Sequence, residues 1–274
     1  MNNVLEQICE KKRQHVAQRK TARSLNQVIN QCELVPKPHG FINALEKASR
    51  NGYGLIAEIK RASPSKGRIR KDFNPKTLAN AYKAGGATCI SVLTDTPYFE
   101  GCDEDLSKAK EAVNLPILRK DFMLDPYQIH ESRALGADCI LLIIAALSND
   151  QANELEDIAI SYGMDVLIEV HNQFELEQAL KLKSPLIGVN NRDLKTLKTN
   201  LETTKQLASL VPANKLLVSE SGLYSREDLA EMALVGARCF LIGESLMRQD
   251  NVTTAVQDIL LNPLDGGPPQ ELKK

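Results

Sequence analysis

The chain has 274 residues, of which 43% are hydrophobic, and its formal net charge is −1. Such a near-neutral balance provides no basic face or tail, so neither nucleic acid nor an anionic membrane surface is an expected partner. The longest apolar run, around residues 139–147, is too short to span a bilayer, and the polar N-terminus lacks the apolar core of a signal peptide, so we expect a soluble globular protein of the cytoplasm.

The cysteines and histidines show no pattern typical of a metal site. The six cysteines form no Cys-x-x-Cys pair and three lie inside predicted strands, so free buried thiols are expected rather than disulfides or zinc ligands. The four histidines are scattered without ligand spacing. His171 follows closely after Glu169, and we interpret it as a structural or surface histidine.

Residues 2–48 are predicted to be helical, because apolar residues recur there at helical spacing, with a Pro/Gly break over 36–40. This segment is too short to bury a core of its own. We therefore predict an N-terminal helical extension, residues 1–50, packed on a main domain that covers 51–262. The tail, 263–274, has no periodicity and is dense in helix breakers, so we expect it to be mobile.

Beyond the extension, eight apolar runs alternate with amphipathic helical segments. The predicted strands are residues 55–60, 88–93, 116–119, 139–144, 165–170, 186–190, 215–219 and 239–242. Eight successive βα units favour a closed parallel (β/α)8 TIM barrel, an α/β fold. An open doubly wound sheet is the alternative.

An internal repeat supports the barrel independently of the strand count. Gly-Ala pairs at Gly86, Gly136 and Gly236 each stand two residues before a cysteine and an apolar strand, and these glycines are spaced by 50 and by 100 residues. Gly can end a helix with a positive φ, after which the chain turns at once into the buried strand. The spacing predicts a doubled βα unit.

The first strand carries an acid and a base on one face. Because side chains alternate along a strand, Glu58 and Lys60 point the same way as Ile56. Burying an unpaired charge is costly, so a paired acid and base at the end of an apolar strand suggest a site that uses them. An edge strand with one solvated face is the alternative, but a closed barrel has no edge for it to occupy.

Ionic and amide side chains also stand at the ends of later strands. In a (β/α)8 barrel these C-terminal ends converge on one face, where catalytic residues from different strands meet. A solvated strand end is the alternative for any one of them. The strand-end candidates are Glu58, Lys60, Lys120, Glu169, Asn190, Arg192, Glu220 and Ser221.

The loops after the last two strands carry a second signal. Each has a glycine, Gly222 or Gly243, that lets backbone N–H groups approach an anion closely, at the usual phosphate position of such barrels. The carboxylate of Glu244 would repel phosphate if it pointed inward, so we assign the binding to main-chain N–H groups near it. The candidate phosphate-binding residues are Gly222, Gly243 and Glu244, and ordinary tight turns are the alternative.

Six stretches, in this order, resemble the indole-3-glycerol phosphate synthase family of tryptophan biosynthesis. They start at Ala57, Ser91, Pro116, Gly188, Ser219 and Leu241 and read AEIKRASPSKG, SVLTDTPYFEG, PILRKDF, GVNNRDL, SESG and LIGESLMR. The resemblance implies a TIM barrel with an N-terminal helical extension that needs no metal or organic cofactor. Some members are fused to the preceding isomerase, and because no length remains here for a second barrel, that activity is expected to be absent.

The resemblance also implies the reaction. An anthranilate-derived sugar phosphate, 1-(2-carboxyphenylamino)-1-deoxyribulose 5-phosphate, closes to the indole ring and loses carbon dioxide and water. Lys120 matches the family's general acid, which protonates the ketone in ring closure, and Glu169 matches the acid/base carboxylate of dehydration. Glu58 and Lys60 match residues that assist, and whether Lys60 or Lys120 protonates the leaving hydroxyl is open. The candidate catalytic residues are Glu58, Lys60, Lys120, Glu169, Asn190, Glu220 and Ser221.

Further matched positions are expected to bind substrate. Arg192 can clamp the anthranilate carboxylate with two hydrogen bonds. Phe99 and Phe122 are expected to supply apolar walls for the aryl ring, with ordinary packing as the alternative. The breaker-rich loop 61–70, which contains the candidate substrate-binding residue Ser63, is expected to close over the substrate and exclude water.

Two other functions fit parts of the pattern. A sugar-phosphate isomerase of the same pathway type would account for the glycine loops but not for two lysines and three acids together. A barrel retained as a binding or scaffold subunit would bind the substrate and would lose nothing on replacement of Lys120 or Glu169.

Overall fold

The computed structural model describes residues 4–63, 67–193 and 196–261. Within these ranges eight parallel strands close into one barrel, because each strand pairs with the next along the chain and the last pairs with the first. The strands are β1 (Gly54–Ile59), β2 (Cys89–Leu93), β3 (Ile117–Lys120), β4 (Cys139–Ile143), β5 (Asp165–Val170), β6 (Leu186–Asn190), β7 (Leu216–Glu220) and β8 (Cys239–Ile242). The predicted (β/α)8 barrel is confirmed, and the pairing of β1 with β8 excludes an open sheet.

Helices precede the barrel and alternate with its strands. They are α1 (Val4–Ala22), α2 (Leu25–Cys32), α3 (Phe41–Asn51), α4 (Pro75–Gly85), α5 (Thr96–Phe99), α6 (Asp103–Ala112), α7 (Pro126–Ala134), α8 (Asn149–Ser161), α9 (Gln173–Ala179), α10 (Glu202–Ala208), α11 (Arg226–Leu234), α12 (Glu244–Met247) and α13 (Val252–Leu260). A 3-10 turn covers Ile144–Ala146, and two-residue strands at Ala62–Ser63 and Gly67–Arg68 pair antiparallel just after β1. The predicted mobile tail, 263–274, lies outside the described residues.

The repeated glycines end helices as predicted. Gly86, Gly136 and Gly236 have φ values of 101°, 82° and 97°, which side chains with a Cβ rarely adopt. The N–H of Gly86 bonds to the last carbonyls of α4, and β2 begins three residues later. Each glycine therefore turns the chain from an outer helix into an inner strand.

Alternation along the strands separates two apolar layers. In β1, Leu55 and Ala57 pack in the layer between the barrel and its helices, while Ile56 faces the barrel interior. Leu118 of β3 and Leu167 of β5 lie in the same interior layer as Ile56. Because Glu58 follows Ile56 by two residues, the side chain of Glu58 also points into the barrel, above the interior apolar layer.

The N-terminal helices close both ends of the barrel. Phe41 and Leu45 of α3 are fully buried in the interior cluster at the start of the strands. Asp165, the first residue of β5, accepts the N–H of Ile42 at 3.0 Å and so holds the first turn of α3 there. Helix α1 lies across the opposite end, where Leu5 packs in the cluster that also contains Phe122.

A buried lysine fastens α1 to that end. Lys12 is 2% exposed, and its Nζ lies 2.6 Å from Asp95 Oδ1 and 2.7 Å from Asp121 Oδ1. Asp95 also accepts the N–H of Tyr98 and starts α5, and Asp121 accepts the N–H of Phe122. One ammonium therefore links the extension to the segments that follow β2 and β3.

The six cysteines lie in the described part of the chain and all are free thiols, five of them buried. The expectation of buried thiols rather than disulfides is therefore confirmed for those five, while Cys102 is partly exposed. Among the described residues, every helix is too short or too polar to cross a membrane.

Candidate active site

A cavity of about 150 Å³ opens at the C-terminal ends of the strands. A smaller space of about 100 Å³ adjoins it, and Lys60, Phe99, Phe122, Arg192 and Glu244 line both. The larger cavity is lined by every candidate residue except Ser63, which lines the smaller one: Glu58, Lys60, Lys120, Glu169, Asn190, Glu220, Ser221, Arg192, Phe99, Phe122, Gly222, Gly243 and Glu244. The structure thus brings together side chains that the sequence spreads over almost 190 positions.

Lys120 occupies the centre of the charged lining. Its Nζ lies 3.1 Å from Glu169 Oε2 and 3.2 Å from Glu220 Oε2, and both carboxylates are buried. The barrel register accounts for this meeting, because Glu169 pairs with the last residue of β4 and Glu220 pairs with Asn190 at the end of β6. One ammonium from β3 therefore spans the barrel mouth between carboxylates of β5 and β7.

Two glycines leave space for the buried acids. A Cβ at Gly188 would lie 2.2 Å from Glu220 Oε1, and a Cβ at Gly243 would lie 2.7 Å from Glu58 Oε1. Both distances are far below van der Waals contact, so any larger residue would displace a carboxylate. Gly243 therefore has a role in shaping the cavity beside the predicted one in phosphate binding. Gly188 was missed at the sequence level, although a lone glycine inside an apolar strand is typical of a close approach by another group.

Glu58 and Lys60 form a second ion pair. Lys60 Nζ lies 2.5 Å from Glu58 Oε1, the carboxylate is buried, and the ammonium is partly exposed to the cavity. The backbone carbonyl of Glu58 accepts a hydrogen bond from the buried Tyr82 hydroxyl at 2.9 Å, which fixes the end of β1. The site therefore holds two lysines, each neutralised by carboxylates and each facing the same space.

The central cluster keeps one proton on its carboxylates at neutral pH. Burial raises the pKa of Glu220, and although Lys120 opposes this, the charge of Glu169 raises it further, to about 8. For Glu169 burial also favours the neutral form, but Lys120 and His171 outweigh it and hold the pKa below its usual range. Burial disfavours the Lys120 ammonium, yet the carboxylates around it raise its pKa above the ordinary value. Glu169 and Lys120 are therefore charged and Glu220 is neutral.

The loop after β7 holds a strained residue. Ser221 has a φ of 67°, in the left-handed region that residues other than Gly rarely adopt, and Gly222 follows with a φ of 81°. The buried amide of Asn191 stabilises this turn, since its Nδ2 donates to the Ser221 carbonyl and to Ser219 Oγ, both at 3.0 Å. Its Oδ1 accepts from Thr204 Oγ1 at 2.8 Å, so the amide is fully satisfied.

The neighbouring wall, formed by the loop after β8, contains Glu244, the residue whose charge opposes phosphate binding. Glu244 Oε1 accepts a hydrogen bond from Arg248 Nε at 3.0 Å, so a cation partly neutralises the carboxylate. Ser245 Oγ donates to the carbonyl of Leu223 at 2.9 Å and ties this loop to the preceding one. The two glycine loops therefore lie side by side, and residues of both line the cavity.

The apolar end of the cavity lies under helix α1. The rings of Phe99 and Phe122 have centroids 6.2 Å apart, and Leu5 and Ile8 of α1 line the same space. Arg192 borders this space, and its Nη1 donates to the Leu197 carbonyl at 3.1 Å. A planar apolar group would fit against the phenylalanines, with a guanidinium at its edge.

His171 borders the central cluster and its side chain is only 10% exposed, which fits its interpretation as a structural histidine and not as a surface one. Its Nε2 lies 3.4 Å from Glu169 Oε1, and its Nδ1 lies 3.0 Å from Glu175 Oε2. The sequence showed only that His171 follows Glu169 by two residues. Its partner Glu175 comes from the first turn of α9, a contact that only the fold defines.

Comparisons with known proteins identify the family. The family model for indole-3-glycerol phosphate synthase matches residues 5–259. A curated protein of that name from Azospirillum brasilense is 61% identical over 261 residues, which are 95% of this chain and 100% of that protein. Another from Rhodospirillum rubrum is 55% identical over 262 residues, again 95% of this chain and 100% of that protein.

Solved structures of much lower identity share the fold alone. A thiamine phosphate pyrophosphorylase from Pyrococcus furiosus is 15% identical, with a TM-score of 0.58 over 77% of this chain and 95% of that chain. The barrel is therefore shared with other proteins, and the family assignment rests on the sequence matches. The chain belongs to the indole-3-glycerol phosphate synthase family.

Proposed function

We propose that the charged cluster at the strand ends carries out the three chemical events of this family's reaction: ring closure, decarboxylation and dehydration. The substrate is 1-(2-carboxyphenylamino)-1-deoxyribulose 5-phosphate and the product is indole-3-glycerol phosphate. The observation that supports this assignment most is the position of Lys120 Nζ, within 3.2 Å of two buried carboxylates on the floor of the cavity. An ammonium held there can deliver a proton to a group bound above it.

Lys120 is the general acid of ring closure. The aromatic carbon that carries the carboxylate attacks the ketone carbon, and the ketone oxygen takes a proton as the new carbon–carbon bond forms. Loss of carbon dioxide from the same ring carbon then restores aromaticity. A preorganised ammonium held between buried carboxylates stabilises the oxygen while its charge develops.

Glu169 is the base of dehydration. After decarboxylation, water leaves from the hydroxyl-bearing carbon, and a proton leaves from the adjacent carbon of the new ring. The pKa of Glu169 is held below its usual range, so its carboxylate is ionised, as a base must be. The Lys120 ammonium contacts both Glu169 and Glu220. The pair of Glu58 and Lys60 assists from the other side of the cavity and supplies a second ammonium near the leaving hydroxyl.

The cavity walls orient the substrate. The phosphate lies against the main chain of Gly222, Gly243 and Glu244, beside Ser221 and the neutralising Arg248. The aryl ring lies against Phe99 and Phe122 under helix α1, and Arg192 binds the anthranilate carboxylate. Asn190 and Ser63 line the remaining edges. In this orientation the ketone of the substrate lies between Lys60 and Lys120.

The loop over residues 61–70 closes above the bound substrate in this proposal. Residues 64–66 lie outside the described part of the chain, and Ser63 and Gly67 pair on either side of them. Hydrogen exchange in this loop should slow on binding of a substrate analogue, and equal exchange with and without the analogue would contradict closure.

The protein acts on a small-molecule phosphate. We place this reaction in the cytoplasm, and no nucleic acid takes part, because the net charge of −1 provides no field to attract one.

Turnover by the purified protein tests the proposed function. Incubation with the substrate should produce indole fluorescence, whereas conversion of phosphoribosylanthranilate without indole formation would favour a sugar-phosphate isomerase. A folded protein that binds the substrate and forms no indole would be a binding subunit instead.

The alkaline side of the pH–rate profile should report Glu220. Activity is expected to fall as the pH rises through about 8, because Glu220 then ionises beside Lys120. A second negative charge holds the proton more tightly on the ammonium and makes it a weaker acid. The measurement is kcat/KM from pH 7 to 10, and the Glu220→Gln variant should lose this limb. An identical limb in that variant would refute the assignment.

A further inference from the structure

His171 sits between two carboxylates at the edge of the central cluster. One ring nitrogen, Nε2, faces Glu169 Oε1 at 3.4 Å, and the other, Nδ1, lies 3.0 Å from Glu175 Oε2. A neutral imidazole has one N–H and one lone pair, so it can satisfy only one carboxylate as a donor. A ring with its proton on Nδ1 alone would turn a lone pair toward Glu169, whereas an imidazolium presents an N–H to each carboxylate, so this position favours the cation.

The turn between β5 and α9 fixes this ring in place. Glu175 Oε2 also accepts the backbone N–H of His171 at 2.8 Å, and Glu175 Oε1 accepts from Asn172 Nδ2 at 2.6 Å. Asn172 in turn caps α9, since its Oδ1 accepts the N–H of Glu175 at 3.0 Å. The Glu175 carboxylate is thus held by the start of its own helix, and it holds the imidazole.

The groups around the ring favour its charged form. Burial disfavours the imidazolium, but Glu169 and Glu175 outweigh burial and raise the pKa of His171 to about 10. Lys120 of β3 reaches the ring only through Glu169, whose other oxygen it contacts. Asn190 of β6, with Asp193 and Lys198 after it, lines the open groove on the far side of the ring.

The proposed proton transfers do not use His171. Glu169 Oε2 is bound to Lys120, so Oε1 is the oxygen available to take a proton from the substrate. His171 faces that oxygen at a distance longer than a normal hydrogen bond. Such a contact restrains the Glu169 carboxylate and favours its ionised form. A lone pair of Oε1 can still accept a proton from the substrate.

We propose that His171, anchored by Glu175, is a positioning residue that orients the Glu169 carboxylate and keeps it ionised for proton removal in dehydration. The inference rests on the proposed role of Glu169 as the base. It assigns a function to the segment Glu169–Glu175 as a unit: a base, a cation that orients it, and an acid that anchors the cation.

Two substitutions separate the two sides of the ring. His171→Asn retains a donor near Nδ1 toward Glu175 and loses the contact with Glu169, whereas His171→Gln extends a neutral donor toward Glu169. In His171→Asn we expect kcat to fall about tenfold and the acid limb of the kcat–pH profile to move up by about one pH unit, with KM little changed. His171→Gln should lose less activity, because it still orients the carboxylate.

His130→Asn is the matched control. His130 Nδ1 bonds to the Tyr162 hydroxyl at 2.8 Å on the outer helices, so its loss should leave the pH profile unchanged. Glu169→Gln is measured beside these variants and separates the two hypotheses. If Glu169→Gln is inactive while both His171 variants keep the wild-type acid limb and kcat, the positioning role is wrong and the base assignment stands. If Glu169→Gln keeps full activity, the base assignment itself fails.

Discussion

Replacement of Lys120 by Met should reduce indole formation by about 100- to 10,000-fold, the usual contribution of a positioned general acid. The substitution removes the ammonium that contacts both Glu169 and Glu220 and leaves a side chain of similar length. Without that cation less positive charge favours the ionised form of Glu169, so the variant is expected to fold with Glu169 more readily protonated. The measurements are initial rates by fluorescence and folding by circular dichroism.

Lys183→Met is the matched control for this change. Lys183 pairs with Asp157 on the surface, where both side chains are more than half exposed, so its removal should change neither rate nor fold. A folded Lys120→Met protein with near-normal turnover would remove Lys120 from the chemistry. The acid of ring closure would then be another group of the cavity, such as Lys60.

Gly188→Ala should impair activity by at least about tenfold without altering any charged residue. The added Cβ would lie 2.2 Å from Glu220 Oε1 and 3.1 Å from Leu167 Cδ1, so the Glu220 carboxylate must leave its place beside Lys120. Overpacking of this kind also costs about 1–3 kcal/mol of stability. Initial rates and urea unfolding of the variant check both effects.

Two controls accompany the Gly188→Ala substitution. Gly52→Ala adds a Cβ no closer than 3.7 Å to its nearest neighbour in an extended backbone, so it should behave as wild type. In a Glu220→Ala background, Gly188→Ala should cost little further stability, because the clashing carboxylate is gone. Additive losses of stability in the double variant would show that the carboxylate is not what Gly188 accommodates.

The fold could be predicted from the sequence because its signals are local. Each strand is a short apolar run, and glycines such as Gly86 and Gly136 mark where a helix ends and the next strand begins, so all eight strands lie within one residue of the predicted bounds. The closure of both barrel ends by the extension was not predictable. It depends on contacts such as that of Ile42 with Asp165, which are 123 residues apart.

The site was predictable where a strand end determines it and not where packing does. Lys120 and Glu169 follow apolar runs, so their common face could be inferred from the barrel alone. The role of Lys12 could not, because a lysine in an amphipathic helix has the pattern of a solvated residue, yet its side chain is buried between two aspartates. The position of His171 between two carboxylates was likewise not predictable, because Glu175 reaches its second ring nitrogen from α9.

The division of proton transfers between Lys120 and Glu169 is the central claim, and single-turnover kinetics of Glu169→Gln test it most directly. Carbon dioxide release and indole formation are followed in the same reaction. Because ring closure and decarboxylation need the acid but not the base, carbon dioxide should be released well before indole appears. Release of both products at one equally reduced rate would contradict the division, since Glu169 would then be required before decarboxylation.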